Sequence, residues 1–184
     1  CPKGEFYAMF VREKRFDESA VREYVKQVLS GLAYLHGQGI IHRDVKMGNL
    51  LVDEKGELKL ADFGLSVPFE ERSEVGKEAA VGTPNYLPPE FIQRNKVSFA
   101  NDVWAVGCFA YALKFGRLPF EGEDHQTTLR NIVRKEPVFS SECSAELVSL
   151  LKALLDKEYE NRRSAKKMLA MKFFQMTIEE TVND

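Results

Sequence analysis

His42-Arg43-Asp44-Val45-Lys46-Met47-Gly48-Asn49, with Asp62-Phe63-Gly64 a little downstream, is the stretch that decides the reading of this chain. Upstream of it, Val21, Val25, Val28, Leu32 and Leu35 fall at helical spacing behind Asp17, a good N-cap. A long helix is therefore expected to run to about His36, where Gly37 and Gly39 stop it. Between the two motifs, Leu50-Leu51-Val52 and Leu58-Lys59-Leu60 flank the turn Asp53-Glu54-Lys55-Gly56 and read as a small hairpin.

Working outward, a short helix is expected over Glu5 to Arg12, and residues 65–86 lack periodicity and read as a long loop. A long loop inside a compact domain is usually functional. Apolar spacing predicts helices over 99–115, 144–155 and 164–174, with another at 125–135, so the expected fold is α+β and mainly helical. The 184 residues suffice for one domain with a sizeable core. A net charge of -2 gives no support to bulk nucleic-acid or anionic-membrane binding. Cys1, Cys108 and Cys143 are scattered without metal or redox spacing, which points to reduced thiols in a cytoplasmic or nuclear compartment. No apolar run reaches transmembrane length, and the longest, around Trp104 to Leu113, suits a buried core helix. Cys1 opens in mid-pattern without an initiator Met, as expected of a piece of a longer chain.

Further along come Gly82-Thr83-Pro84-Asn85-Tyr86, Pro88-Pro89-Glu90, Asp102-Val103-Trp104-Ala105-Val106-Gly107 and Arg162. Singly, each piece has a plainer reading: Asp44 as a cap or turn residue, Asp62-Phe63-Gly64 as a strand-ending turn, Asn49 as the close of a turn. Together, in this order and spacing, they resemble the catalytic lobe of protein kinases over essentially the whole chain. The resemblance implies a protein-kinase-like fold with a small β-hairpin at the catalytic loop, residues 1–184 being the C-terminal lobe starting at the hinge. It implies Asp44 as acceptor of the substrate hydroxyl proton and Lys46 as a compact positive charge beside the transferring phosphate. Asn49 and Asp62 become oxygen ligands for Mg2+. Lys46 and Thr83, which resembles the loop threonine that bonds Asp44 and Lys46, place the chain with serine/threonine kinases. Leu65 resembles residues that favour serine acceptors.

Other positions carry structural roles in the family. Glu90 and Arg162 resemble the pair that ties the substrate-binding segment to the helical core, and Asp102 the residue that holds the catalytic-loop backbone from the central helix. Trp104 and Gly107 are packing positions. Leu50, Leu51 and Val52 match the apolar floor beneath the adenine of ATP, while His42 and Phe63 match the lower members of an apolar stack that continues into the other lobe. Cys1-Pro2-Lys3-Gly4-Glu5 resembles the hinge, with the Cys1 backbone at the adenine and Glu5 near the ribose. His36 and His125 read as structural or solvent-exposed. The Gly-rich loop, strand lysine and helix glutamate belong to the N-terminal lobe of the same polypeptide, which this chain lacks.

Within the family the chain is most similar to polo-like kinases, through Lys46-Met47-Gly48-Asn49-Leu50, Gly82 to Tyr86 and Ser98 to Trp104. Gly4-Glu5 and Thr128-Leu129 resemble the Sak branch, which implies a cell-cycle role and a site at the centrosome or centriole. Pro88 and the Arg163-Ser164 step depart from the family pattern. The implied partners are ATP and a protein substrate. Two alternatives share the architecture: a pseudokinase scaffold, and a small-molecule phosphotransferase, which lacks the Gly82 to Glu90 peptide-binding segment. The activation-loop threonine of many kinases falls at Ala79, and a second basic residue of its clamp falls at Val67. Phosphorylation at the usual place is therefore not expected to be required, and Glu78 becomes a candidate carboxylate for Arg43.

Overall fold

The computed structural model describes residues 6–74 and 84–175. Cys1, Glu5, Glu78, Ala79 and Thr83 lie outside the described residues. The elements are α1 (Phe6–Glu13), α2 (Glu18–Gly37), β1 (Ile40–Ile41), β2 (Leu50–Val52), β3 (Leu58–Leu60), β4 (Val67–Pro68), α3 (Pro89–Arg94), α4 (Phe99–Phe115), α5 (His125–Arg134), α6 (Ala145–Leu154) and α7 (Ala165–Met168). Two small antiparallel pairs, β1 with β4 and β2 with β3, join this mainly helical α+β arrangement. Among the described residues no helix is long and apolar enough to cross a membrane.

The core forms around α2 and α4. Asp17 caps α2 by accepting the Ala20 N–H at 2.8 Å, and the helix buries Val21, Val25, Val28, Leu29 and Leu32. Helix α4 is apolar all round, so it can be stable only at the centre, and every residue from Asn101 to Leu113 is buried. Gly116, in the left-handed region at φ 71°, ends it by returning its N–H to the Ala112 carbonyl. The end of the described chain is tied back to α2, where Arg22 Nε donates to the Phe173 carbonyl at 2.7 Å. Lys157 donates to the Ile132 carbonyl and lies 3.7 Å from the Phe120 ring centre, and burial draws its ammonium down to about 8. Burial pushes the Cys108 thiol up to about 12, which leaves it an inert core residue.

Two expectations are corrected, and one helix is added to those expected. The long loop over 65–86 is not featureless: β4 pairs Val67 with Ile41, and Phe69–Glu74 and Pro84–Tyr86 are 3-10 turns. The helix expected over 164–174 is α7 alone, followed after a bend by a 3-10 turn at Lys172–Phe174. Helix α3, begun by Pro89 at its first position, was not anticipated.

Gly107 sits where α4 meets the C-terminal end of α6. A Cβ there would lie 2.7 Å from Leu155 Cδ2 and 2.9 Å from Leu154 Cβ, an atom that no rotamer change can move. Gly107→Ala is expected to destabilise by about 1–3 kcal/mol despite alanine's better helix propensity. Urea denaturation checks this, and an unchanged midpoint would mean that α4 and α6 have room between them.

Candidate active site

The hairpin brings two motifs to one place. Leu50 pairs with Leu60, and just outside the pair the Ala61 N–H donates to the Asn49 carbonyl at 2.9 Å. Asn49 and Asp62 therefore emerge at the same end of β2 and β3. Asp62 is in the left-handed region at φ 59°, a conformation that Asp tolerates better than most side chains. Its exposed carboxylate accepts the Gly64 N–H at 3.2 Å.

The loop between β1 and the hairpin hangs from α4. The buried Asp102 carboxylate accepts the His42 N–H on Oδ2 at 2.9 Å and the Arg43 N–H on Oδ1 at 2.8 Å. These bonds hold the turn in which Arg43 takes φ 70°. His42 is fully buried, and its neighbours fix its tautomer. Nδ1 accepts the Asp44 N–H at 3.3 Å, so Nε2 carries the hydrogen that points at the Ala61 carbonyl, 3.1 Å away. The same residue thus links the loop bearing Asp44 to the strand end bearing Asp62.

Asp44 faces Lys46 and Asn49. Lys46 Nζ lies 3.0 and 2.8 Å from the two carboxylate oxygens, and Asn49 Nδ2 donates to Asp44 Oδ2 at 2.7 Å and to the Asp44 carbonyl at 2.8 Å. With its NH2 turned to Asp44, Asn49 has its amide oxygen to offer a cation. Among the described residues no cluster of three or more His, Cys, Asp or Glu side chains could hold a metal ion by itself. Asn49 and Asp62 nevertheless suit Mg2+, which usually takes one or two protein oxygens and completes its shell with phosphate and water.

Of the expected site residues, the structure thus gathers Asp44, Lys46 and Asn49 in one hydrogen-bonded set, with Asp62 at the adjoining strand end. Cys1, Glu5 and Thr83 lie outside the described residues. The expected apolar floor is narrower than the sequence implied, because strand alternation buries Leu50 and Val52 in the core and leaves only Leu51 partly exposed. Phe63 packs against His42 with ring centres 5.0 Å apart and is 49% exposed.

The buried pair is as expected. Arg162 is ion-paired with Glu90 and donates to the Ala100 carbonyl at 2.8 Å, and Asn101 Nδ2 donates to the other Glu90 oxygen at 3.0 Å. Burial pushes the Glu90 carboxyl up against the pull of Arg162. Sequence reasoning missed the specific contacts of two groups. His36 Nε2 lies 2.8 Å from Asp102 Oδ2, and Arg43 Nη1 donates to the Leu65 carbonyl at 3.1 Å. Burial lowers the Arg43 guanidinium while the Asp102 charge raises it.

Comparison with known proteins places this geometry. The family model for the protein kinase domain matches residues 1–174. Serine/threonine-protein kinase ppk16 of Schizosaccharomyces pombe is 36% identical over 175 residues, 95% of this chain and 26% of the relative. Serine/threonine-protein kinase plk-2 of Caenorhabditis elegans is 34% identical over 174 residues, 95% of this chain and 27% of the relative. Serine/threonine-protein kinase PLK4 of Drosophila ananassae is 36% identical over 168 residues, 91% of this chain and 22% of the relative. The chain spans about a quarter of the length of these relatives. An ordered run of kinase motifs, a catalytic loop hung from a central helix and a matching family model agree: the chain belongs to the protein kinase domain family, with serine/threonine kinases, polo-like kinases among them, as its relatives.

Proposed function

We propose that residues 1–184 form the C-terminal lobe of a protein serine/threonine kinase that transfers the γ-phosphoryl group of ATP to a Ser or Thr hydroxyl of a protein substrate. The observation that carries this reading is the Asp44 carboxylate clasped by Lys46 and Asn49 at the end of the hairpin that delivers Asp62. Phosphoryl transfer needs positioning and charge stabilisation more than covalent help. Asp44 orients the attacking hydroxyl and takes its proton as the oxygen–phosphorus bond forms and ADP leaves. Lys46 sets positive charge beside the transferring group. Asn49 and Asp62 hold Mg2+, which when bound neutralises phosphate oxygens. The family resemblance further assigns the Cys1 backbone, the Glu5 side chain and Leu51 to the nucleotide site, and Thr83 to the support of Asp44 and Lys46.

The half-exposed Phe63 supports a second lobe closing over this face, as does the share of the relatives' length that the chain spans. The resemblance to polo-like kinases of the Sak branch supports a cell-cycle or centriole-duplication kinase of the cytoplasm or nucleus, with a site at the centrosome or centriole, and the similarity to PLK4 is consistent with that branch. The direct test is transfer of labelled γ-phosphate to serine or threonine of a protein acceptor by the full-length polypeptide. Absence of transfer with Mg-ATP present would overturn the reading.

Residues 1–184 alone meet ATP with only part of its site. The isolated chain is expected to give no ATP-dependent shift in Tm and no phosphoryl transfer. Robust activity from the purified chain would contradict the assignment of a missing lobe.

A further inference from the structure

One corner of the molecule carries charge that neither the core nor the site above uses. The α1–α2 connection brings Arg12, Lys14 and Arg15 to the surface, and the end of α4 brings Lys114 and Arg117 beside them. The two connections are built against one another. The Phe16 N–H donates to the Leu113 carbonyl at 2.9 Å. A Cβ at Gly116 would lie 2.9 Å from the Lys14 carbonyl oxygen and 3.2 Å from Arg15 Cγ, so this approach requires glycine. Lys14 itself takes the left-handed region at φ 63°, with its N–H on the Phe10 carbonyl at 2.7 Å. The Arg15 N–H returns to the Glu13 carbonyl at 2.8 Å. Backbone bonds therefore set where these cations stand.

Two of the five are engaged. Arg12 pairs with Glu13 at 2.9 Å, and Lys114 lies 3.4 Å from the buried Glu18. Asp17, the remaining acid of this corner, is occupied as the cap of α2, accepting from the Ala20 N–H and the Ser19 hydroxyl. The side chains of Lys14, Arg15 and Arg117 make no hydrogen bond or ion pair among the described residues, and all three are exposed. In a chain of net charge -2, three uncompensated cations are thus gathered at one place. Their mutual repulsion is relieved by an anion, and the two guanidinium groups suit carboxylates.

An apolar strip leads to this corner from the catalytic loop. Tyr7 and Val11 stand four residues apart on one face of α1 and are 52% and 54% exposed. Helix α1 packs against the Met47–Asn49 turn and β2. Tyr86 is hydrogen-bonded to the Met47 backbone and lies near enough to Tyr7 for the two hydroxyls to influence one another. The strip therefore begins beside the loop that bears Asp44 and ends at Lys14. A helix of eight residues is about 12 Å long, a distance that about four extended residues cover. A nucleic-acid duplex or an anionic bilayer would extend past this corner onto a surface of net negative charge. A polypeptide with apolar side chains ahead of its carboxylates matches both the strip and the cations.

We propose that Lys14, Arg15 and Arg117 form a binding site for an acidic segment of the protein substrate, roughly four to eight residues from the acceptor hydroxyl, with Tyr7 and Val11 beneath the chain that joins the two. The assignment to the substrate rests on the kinase reading, but the acidic site can be measured without turnover.

The test uses the full-length protein and labelled peptides that share one acceptor serine. A block of three Glu, or of three Gln, is placed at increasing distance on either side of that serine. Fluorescence anisotropy gives Kd, and steady-state kinetics give KM. At low salt the Glu block is expected to bind about tenfold tighter than the Gln block, the scale of a few exposed charge pairs acting together. The advantage appears on one side of the serine and is greatest at roughly four to eight residues. Most of it is lost between about 50 and 500 mM salt. Lys14→Gln, Arg15→Gln and Arg117→Gln together reduce it to within about twofold, and Arg117→Gln alone removes part of it. Tyr7→Ala weakens both peptides alike, because it removes the strip and leaves the cations.

Equal binding of the Glu and Gln blocks overturns the proposal, as does an advantage that survives the triple substitution. Should the triple variant fail to fold, Arg117→Gln decides by the same anisotropy measurement. An advantage independent of the distance between block and serine overturns the link to the acceptor. A DNA duplex or anionic vesicles held more tightly than the peptide through the same three residues overturn the choice of a protein segment. A wild-type protein without turnover sinks the kinase reading alone, because anisotropy still decides for or against the acidic site.

Discussion

Asp44→Asn is expected to lower turnover of the full-length protein by roughly 10²–10⁴-fold, the usual scale for losing a general base. Binding of Mg-ATP is expected to stay nearly unchanged. The substituted amide is close in size to the carboxylate, and Asp102 still holds the loop backbone at His42 and Arg43. What disappears is the proton acceptor beside Lys46 and Asn49. Asp62→Asn tests the other half of the assignment, because it removes a charged oxygen ligand and should weaken Mg-ATP binding itself. Turnover numbers and a nucleotide Kd for both variants separate the two roles. Near-normal turnover in Asp44→Asn would show that the base is elsewhere.

Arg162→Ala is expected to cost on the order of 3–5 kcal/mol, the range for stranding one member of a buried ion pair, against about 1 kcal/mol or less for a surface pair. For a domain of this size that corresponds to roughly 10 °C in Tm. The Arg162 and Glu90 side chains are 0% and 3% exposed, so water cannot replace the missing partner. The variant also loses the Ala100 contact and should make the segment around Glu90 more sensitive to protease.

Stability against pH gives the pair a signature. Burial pushes the Glu90 carboxyl above its ordinary 4.5, so the folded protein binds that proton more tightly than the unfolded chain. The stabilisation from such a group is lost as pH rises. Removing the opposing pull of Arg162 steepens the trend, so the deficit of Arg162→Ala should grow as pH rises above that ordinary value. Glu90→Gln strands a guanidinium that keeps its proton, and its own stability no longer varies with pH through this site, so its deficit against the parent should narrow as pH rises. Unchanged melting and protease sensitivity in Arg162→Ala would refute the buried pair.

What could be read from the residues and what could not divide along physical lines. Asp17, the valines of α2 and the Leu50-to-Leu60 hairpin were legible because caps, helical period and turns are local signals. The all-apolar run at α4 announced a buried helix for the same reason. The pairing of Glu90 with Arg162 and the hold of Asp102 on the loop came through resemblance, since no local pattern joins residues so far apart. His36 shows the limit: its partner lies 66 residues away, and α2 periodicity says only which face is buried. The 3-10 turns at 69–74 and 172–174 were missed because elements so short present no period to detect. At 164–174 the apolar spacing runs on through the bend after α7, so the pattern looked like one helix. The alternation that buries Leu50 and Val52 but not Leu51 was available in the sequence. The resemblance to an apolar floor treated the three residues alike.

Because the catalytic loop is suspended from α4, its supports are translated after it. Asp102 follows His42 by 60 residues, and Arg162 follows Glu90 by 72. At about 5–20 residues per second, residues 42–49 wait roughly 3–12 s before Asp102 is added to the growing chain. During that interval the His42 and Arg43 amides lack the carboxylate that sets the loop backbone. A later interval leaves Glu90 without the cation that meets its charge, while the apolar surface of α4 still lacks α6 to cover it. A holding chaperone would find its client in these two windows, and slowed translation between residues 102 and 162 would lengthen the second one.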